Sequence, residues 1–468
     1  MKKTMGIVVL AAGEGKRFKA PTPKPLAPLC GRRMVDFPLS ESLSFAEKAS
    51  LQTFCTVVTG HERERVEAYL RERYNKQINF TFQKEQKGTA DALKSYFESH
   101  GSGQKTDLTL VLCADTPLIR RRHLSALYQA LADGDHDGVV AAFRTSNPQG
   151  YGRITSGQGP GFSIVEEDEA SDEIRKITLV NSGLYLFKTS FLLEHLEEIG
   201  SGAKDEFYLT KIFQDHLKLK AVLFPDAHSF MGVNTLRQLG AASHEIRREI
   251  NQRHLENGVL IVDERHTSID WEVSIGENSV IHPHNFIYGR TKIGRSVHIG
   301  PNCTIEECDI RDHASIKGHC HLEKASIAPG AAIGPFAHLR PESHIGEGSK
   351  IGNFVEIKKA VLHRGVKVSH LSYVGDAEIG EESNIGCGFI TCNYDGTLKH
   401  KTTIGKRAFI GSDTQTVAPV SIGDDAYIAS GSTINRDVPK EAFAVARSRQ
   451  VTKEGMAKRF KKKKTEDV

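Results

Sequence analysis

A chain of 468 residues is too long for one ordinary domain and points to two or three. Hydrophobic residues at 39%, charged residues at 26% and a net charge of +4 describe a soluble globular protein, with no apolar stretch long enough to span a membrane. Eight cysteines without a Cys-x-x-Cys pair indicate neither a zinc knuckle nor a disulfide framework, and fit a reduced cytoplasm.

Met1-Lys2-Lys3 leads straight into a strand rather than a signal peptide. Thr4–Leu10 (TMGIVVL) is a buried-strand pattern, followed at once by Ala11-Ala12-Gly13-Glu14-Gly15-Lys16-Arg17. A strand feeding a glycine-rich turn exposes backbone N–H groups to an anion, and Lys16 and Arg17 add charge. The spacing is too short for a Walker loop, and Phe18 stands where a dinucleotide fingerprint needs its third glycine. Taken alone, the glycines also fit a plain strand–helix turn. Pro23-Lys24-Pro25-Leu26 places a second lysine on a stiff segment close behind.

Strands and helices continue to alternate through Thr53–Thr59, His61–Tyr74, Leu108–Cys113 and Val139–Phe143, which predicts an α/β sheet of mostly parallel strands. Ligands of such sheets bind beyond the carboxyl ends of the strands, and Asp115 falls there. A carboxylate at that place either holds a partner or metal or caps a helix.

The order of motifs is specific. Leu10-Ala11-Ala12-Gly13-x-Gly15-x-Arg17, Pro23-Lys24, Gln83-x-x-Gln86-x-Gly88-Thr89-Ala90, Asp115-x-Pro117-Leu118, Gly150-Tyr151-Gly152-Arg153, Val165-Glu166, Asn181-Ser182-Gly183 and Gly232-Val233-Asn234 follow one another. This series resembles the sugar-1-phosphate nucleotidyltransferases, and specifically the uridyltransferase half of the bifunctional N-acetylglucosamine-1-phosphate uridyltransferase/glucosamine-1-phosphate acetyltransferases. The resemblance implies that Leu10, Ala11, Ala12, Gly13, Arg17, Lys24, Gln83, Gly88 and Thr89 hold UTP. Gly152, Glu166 and Asn181 would hold the sugar, and Asp115 and Asn234 would bind Mg²⁺. Cys113 and Ala114 depart from the Tyr-Gly that relatives often carry in the base and ribose pocket.

Thr235–Gly258 reads as a charged helix with Leu236, Leu239, Ile246, Ile250 and Leu255 on one stripe, either an arm between two domains or a core helix of the first. The expected boundaries are 1–235 for the uridyltransferase domain, 236–257 for the helical linker and 258–468 for the second domain.

From there an aliphatic residue followed by Gly returns every six positions, as in Ile275-Gly276, Ile293-Gly294, Ile299-Gly300, Ile351-Gly352, Ile404-Gly405 and Ile422-Gly423. Small residues such as Ser279, Val297, Cys303, Ser349, Ser383 and Ala426 sit two before the next aliphatic, and so share its side of a short strand. The glycines are expected at corners that need backbone conformations costly to other residues. Hexads of this kind predict a three-sided parallel β-helix of roughly ten coils between about Asn257 and Ala446. The beat weakens across Lys358-Lys359, around Val368–Asp376 and across Thr391–Gly396, and such interruptions map to loops. His319-Cys320-His321 has no second pair of ligands nearby and is not assigned a metal; a five-residue beat there is expected to break the stacking of coils. Lys461–Lys464, in a basic tail, fit either a contact with nucleic acid or an anionic surface or a solvated disordered terminus, and are read as the latter.

Arg340-Pro341, Gly352–Lys359, Gly375–Gly380, Thr391–Gly396 and Gly411–Gln415 resemble the acetyltransferase half of the same bifunctional family, whose β-helix is left-handed. The resemblance implies His370 as catalytic base, with Arg340, Lys358, Tyr373 and Asn384 binding the amino-sugar phosphate. Cys387, Asn393, Tyr394, Ser412, Ser430 and Arg447 fall at acetyl-CoA positions, and Cys387 and Ser430 replace the usual Ala. Cys387 either lines that site or faces the coil interior. The same resemblance implies a homotrimer; a cytoplasmic location is expected from the cysteine pattern, and no nucleic-acid partner is expected.

The residue types suit the chemistry. A sugar phosphate oxygen is already anionic and needs charge relief rather than a base, from Mg²⁺, Lys24 and Arg17. Glucosamine's amine is mostly protonated near neutrality, so its attack on a thioester calls for a His. The alternative is a single-activity sugar-1-phosphate nucleotidyltransferase with a structural or regulatory β-helix.

Overall fold

Seven strands of the N-terminal half hydrogen-bond side by side in the order Leu219–Phe224, Gly138–Arg144, Leu179–Lys188, Leu108–Cys113, Thr4–Ala11, Gln52–Thr59 and Ile78–Phe82. The structure, a computed structural model, describes residues 3–100, 106–156, 161–200 and 206–461, so Lys462–Lys464 of the basic tail lie outside the described residues. It divides into two compact units, Met1–Arg247 and Arg248–Val468, with the break inside the helix Leu236–Glu256.

Thr4–Ala11 pairs in parallel with both neighbours, and Gln52–Thr59 in parallel with Ile78–Phe82. Leu179–Lys188 runs antiparallel to the strands on each side of it. Met5, Ile7 and Val9 point into one core with Leu39, Leu70 and Leu127 from the helices on that face. Val8 points to the other face, with Val58, Leu93 and Leu192. A strand buried on both faces reads as a continuous apolar run, which is why TMGIVVL was so distinct in the sequence. The chain winds outward from Thr4–Ala11 in one direction and then returns to its other side at Leu108–Cys113, leaving a crevice at their carboxyl ends. The helix expected from His61 starts at Arg63, since Glu62 takes a left-handed φ of 50°.

The stripe expected on Leu236–Glu256 is narrower than the sequence suggests. Ala242, Ile246 and Ile250 are buried, but Leu236 and Leu255 remain 52% and 37% exposed. The buried face instead continues over the polar Asn251 and His254. Gly258, at φ 81°, turns the chain out of the helix, a left-handed exit glycine adopts without strain.

In the second unit each short strand pairs in parallel with the third strand after it, so three strands make one coil of a parallel β-helix. One interior ladder runs Ile281, Ile299, Ile316, Ile333, Ile351, Val368, Ile385, Ile410 and Ile428 in unbroken register. Every rung is buried, and each such side chain contributes on the order of 1.5–3 kcal/mol. Lys350–Leu362 and Lys367–Ile379 are single strands that each run through all three sides of a coil.

Two expectations need correction. With the exception of Gly334 at φ 89°, the hexad glycines are not where left-handed backbone occurs; that falls two residues later, on Asn278, Ser296, Asn302 and Asp413. The glycines are required for space. A Cβ on Gly276 would lie 2.7 Å from the carbonyl carbon of Gly294 in the next coil. The five-residue beat, secondly, does not break stacking at His319–His321, because Thr304, His321 and His338 stay in register. The shortened corner recurs at the same place in successive coils, between Ile305 and Ile310 and again between Leu322 and Ile327, so neighbours remain matched. His319 stacks on Phe336 and His321 sits edge-on to His338.

The interruption after Thr391 is an insertion. Tyr373 pairs with Ile390, yet Ala377 pairs with Thr402, and the extra residues form the loop Asn393–Lys401. Among the described residues no helix is long and apolar enough to cross a membrane.

Candidate active sites

The crevice of the first unit is a cavity of about 590 Å³. Leu10, Ala11, Ala12, Gly13, Arg17, Lys24, Gln83, Gly88, Thr89, Cys113, Ala114, Asp115 and Asn234 all line it. Asp115 sits just past the end of Leu108–Cys113, and its backbone carbonyl accepts the N–H of Val233 at 2.8 Å, which brings Asn234 alongside. Lys24 Nζ donates to Asp115 Oδ2 and, at 2.8 Å, to Asn234 Oδ1. Two oxygen ligands therefore converge on one cationic point. Gly15 takes φ 66°, and a Cβ there would lie 3.2 Å from Lys24 Cβ, so the turn packs tightly on the lysine stem. Burial pushes the Cys113 thiol up to about 12, so it is neutral in the cavity wall.

Gln83 donates to Gly88 O at 3.1 Å and to Asp91 Oδ2 at 2.7 Å, which fixes its amide. Gly88 adopts φ 105°, and a Cβ there would meet Phe207 O at 2.5 Å. Thr89 Oγ1 accepts the N–H of Leu209 at 2.9 Å, so the Phe207–Leu209 segment closes against this turn. Glu206 joins the lining from that segment; nothing in its local sequence marked it.

Gly152, Glu166 and Asn181 are outside that lining but lie together. A Cβ on Gly152 would approach Glu166 Oε1 to 3.4 Å, and Asn181 N donates to Gly152 O at 2.9 Å. Glu166 accepts from Thr210 Oγ1 at 2.6 Å, and burial holds its carboxyl above the usual range. Arg153, buried beside them, pairs with Glu167 at 2.7 Å.

In the second unit, His370 is exposed on the coil edge that opens the Ser372–Val374 side, and its Nδ1 bonds Asn353 Oδ1 at 2.9 Å one coil away. The same edge continues through later coils. Gly388 N donates to Leu371 O, Asp413 N to Cys387 O and Gly431 N to Ser412 O. Cys387, Ser412 and Ser430 thus line up below His370, and the Arg447 side chain lies over Gly431. Cys387 is exposed, which overturns the interior alternative. Asn384 stands on the adjoining side, in register with Lys367 and Phe409.

The remaining positions gather elsewhere. Tyr373 is in register with Glu356, whose Oε1 holds Arg340 Nη1 at 2.9 Å. Asn393 donates to Asp376 at the far end of the side that His370 opens, and Tyr394 follows it into the insertion loop. Lys399 on that loop lies within hydrogen-bond reach of Lys358 and holds its ammonium below the ordinary value, with Arg340 adding to the repulsion. Asp376 and Glu356 offset part of this charge, and the three cations together suit a phosphate. Sequence reasoning missed Lys399, although the weakened beat before it was the signal. Six residues separate His370 from Asp376, so at about 3.3 Å per residue they stand at most ~20 Å apart along the strand.

The Nucleotidyl transferase family matches residues 7–229, and the Bacterial transferase hexapeptide (six repeats) family matches 272–307, 324–359 and 401–436. The Bifunctional protein GlmU of Pelobacter propionicus is 40% identical over 98% of this chain and 100% of its own length. Those of Syntrophotalea carbinolica and Clostridioides difficile are 42% and 38% identical, over 95% and 97% of this chain and 95% and 98% of their own. With both halves matched from end to end at this identity, the chain belongs to the bifunctional GlmU family.

Proposed function

We propose that the protein makes UDP-N-acetylglucosamine in two steps: acetyl transfer from acetyl-CoA to glucosamine-1-phosphate in the second unit, then uridylyl transfer from UTP in the first, releasing pyrophosphate. The observation that carries this reading is the pairing of two separate chemistries in one chain: Asp115 and Asn234 around Lys24, and His370 oriented by Asn353.

For uridylyl transfer, the donor set fits Mg²⁺, since Asp115 and Asn234 offer hard oxygens at a point already occupied by positive charge. The ion supplies charge neutralisation at the α-phosphate of UTP. Lys24 and Arg17 add positive charge, and the Gly13–Gly15 turn offers backbone N–H groups to the phosphates. Gln83, Gly88 and Thr89 shape the nucleotide end. Gly152, Glu166 and Asn181 take the sugar. No side chain is needed as a strong base, because the attacking phosphate oxygen is anionic.

For acetyl transfer, Asn353 Oδ1 accepts only, so His370 Nδ1 carries a proton and Nε2 is the free base that takes one from the amine. Arg340, Lys358 and Tyr373 hold the sugar phosphate with Asn384, and Cys387, Asn393, Tyr394, Ser412, Ser430 and Arg447 hold acetyl-CoA. The separation of these groups along one side of the coil supports a homotrimer in which neighbouring copies complete each site. Phe336, Phe354 and Leu371, at 47%, 57% and 60% exposure, are a liability on a lone β-helix and support the same reading. On this reading the uridyltransferase domain is 1–235, the helical linker 236–257 and the acetyltransferase domain 258–468, and the protein works in the cytoplasm on small-molecule substrates.

The single-activity alternative leaves His370–Asn353 and the Arg340–Lys358–Lys399 cluster without a task. One assay with glucosamine-1-phosphate, acetyl-CoA, UTP and Mg²⁺ decides: free thiol and pyrophosphate both accumulate on the two-activity reading. Pyrophosphate formed only from pre-acetylated sugar refutes it.

A further inference from the structure

The strand Leu179–Lys188 does not run straight past Gly138–Arg144. Asn181 faces Ala142 and Tyr185 faces Val140, so the register slips between them. Extra residues bow out at Ser182, Gly183 and Leu184, a β-bulge of the kind that re-aims a side chain. Inside it, Gly183 takes φ 79° and donates its N–H to Asn181 Oδ1 at 3.0 Å. The carboxamide oxygen is therefore engaged within the bulge. Asn181 Nδ2 donates to the Tyr185 hydroxyl at 2.7 Å, four residues on, which leaves the amide a second N–H for a ligand.

Tyr185 has little freedom of its own. It is 5% exposed, and its ring stacks on Phe187 at 6.0 Å and tilts against Phe213 at 5.7 Å. Burial and the nearby Glu166 hold the phenol well above its usual value, so it remains a neutral hydroxyl throughout the working range. A rigid aromatic plate thus carries one oxygen to the base of the Asn181 amide.

We infer that Tyr185 is a positioning residue for the sugar end of the uridylyl-transfer site: its hydroxyl locks the rotation of Asn181, so that the amide presents an N–H to the sugar and never its oxygen. The inference rests on the reading of Asn181 as a sugar contact. Loss of the hydroxyl alone leaves Nδ2 buried without its acceptor, and the Gly183 N–H then restrains the amide from the oxygen side only, so that its hold on the sugar weakens. The consequence is weaker sugar binding with no change in the phosphate chemistry.

The test is a double-mutant cycle on the full-length protein with Tyr185→Phe, Asn181→Ala and the double variant. Initial rates are measured against N-acetylglucosamine-1-phosphate at saturating UTP and Mg²⁺. Tyr185→Phe is expected to raise the KM for the sugar phosphate about fivefold, the scale of one hydrogen bond, with kcat and the KM for UTP within twofold. Asn181→Ala raises the sugar KM at least as much, and adding Tyr185→Phe to it has no further effect. The kcat and the KM for UTP, both read from the first unit that carries the substitutions, report that each variant is folded. An unchanged sugar KM in Tyr185→Phe, or an equal rise in the Asn181→Ala background, overturns the inference while leaving the sugar site standing. An unchanged sugar KM in Asn181→Ala overturns the sugar-site assignment itself, and the role of Tyr185 with it.

Discussion

Asn353 and His370 occupy matched positions on successive coils, and the Asn353 oxygen accepts the His370 Nδ1 proton at 2.9 Å. That bond selects the tautomer in which Nε2 is unprotonated, and it fixes the plane of the ring. Asn353→Ala should lower acetyl transfer roughly 10-fold to 100-fold, less than the 10²–10⁴-fold expected for His370→Ala. Uridylyl transfer should not change. A pH–rate profile of Asn353→Ala that overlays the wild type at full amplitude would show the bond to be incidental.

Asp115→Ala should abolish uridylyl transfer and leave acetyl transfer intact, because only the first unit loses an oxygen ligand beside Lys24. Pyrophosphate release at the wild-type rate would remove Asp115 from the metal site.

Lys399→Ala should raise the KM for glucosamine-1-phosphate about tenfold, the scale of a charge-assisted contact, with a smaller effect on kcat. The crowding that holds Lys358 below its usual value is relieved in the same variant, so the alkaline limb of the KM profile should move to higher pH. Equal KM values for wild type and variant would leave the third cation without a ligand.

Cys387 is exposed, whereas burial raises Cys113 to about 12 and keeps it unreactive. N-ethylmaleimide should therefore inhibit acetyl transfer and spare uridylyl transfer, with acetyl-CoA protecting the wild type. The variant Cys387→Ala should resist. Inactivation of that variant at the wild-type rate would direct attention to Cys392.

His254 is 4% exposed, its Nε2 has no hydrogen-bond partner among the described residues, and burial lowers it from 6.5 to about 4. Its folded value lies below its unfolded one, so the unfolded chain binds the proton first. The contribution to stability is whole above pH 6.5 and is lost as pH falls through about 4, at up to about 1.4 kcal/mol per pH unit. Urea midpoints of the second unit should fall across that window, and His254→Leu should flatten the slope there.

Legibility in the sequence followed the number of residues that share a cause. The ladder from Ile281 to Ile428 repeats one requirement coil after coil, so its period stands out. TMGIVVL and LTLVLC are apolar on both faces for a single reason, and Asp115 could be placed at a strand end by counting. Tyr185 and Asp91 act through single hydrogen bonds four and eight residues away, and Thr210 and Lys399 through bonds or close approaches to residues far along the chain. No periodicity announces such contacts. The role of the hexad glycines was misjudged for a related reason: their constraint comes from the next coil, which local sequence does not contain.

The edge that carries His370, Cys387, Ser412 and Ser430 advances by one rung per coil, about 4.8 Å at a time. It is graduated like a ruler, with the reactive nitrogen at one mark and the serines at later ones. Reach along this surface is set by a count of coils rather than by the folding of any loop. Removing a whole coil before Asn353 would leave the scale untouched, whereas removing one between Cys387 and Ser430 would shorten it by a full division. Length, in this unit, is written in the number of repeats.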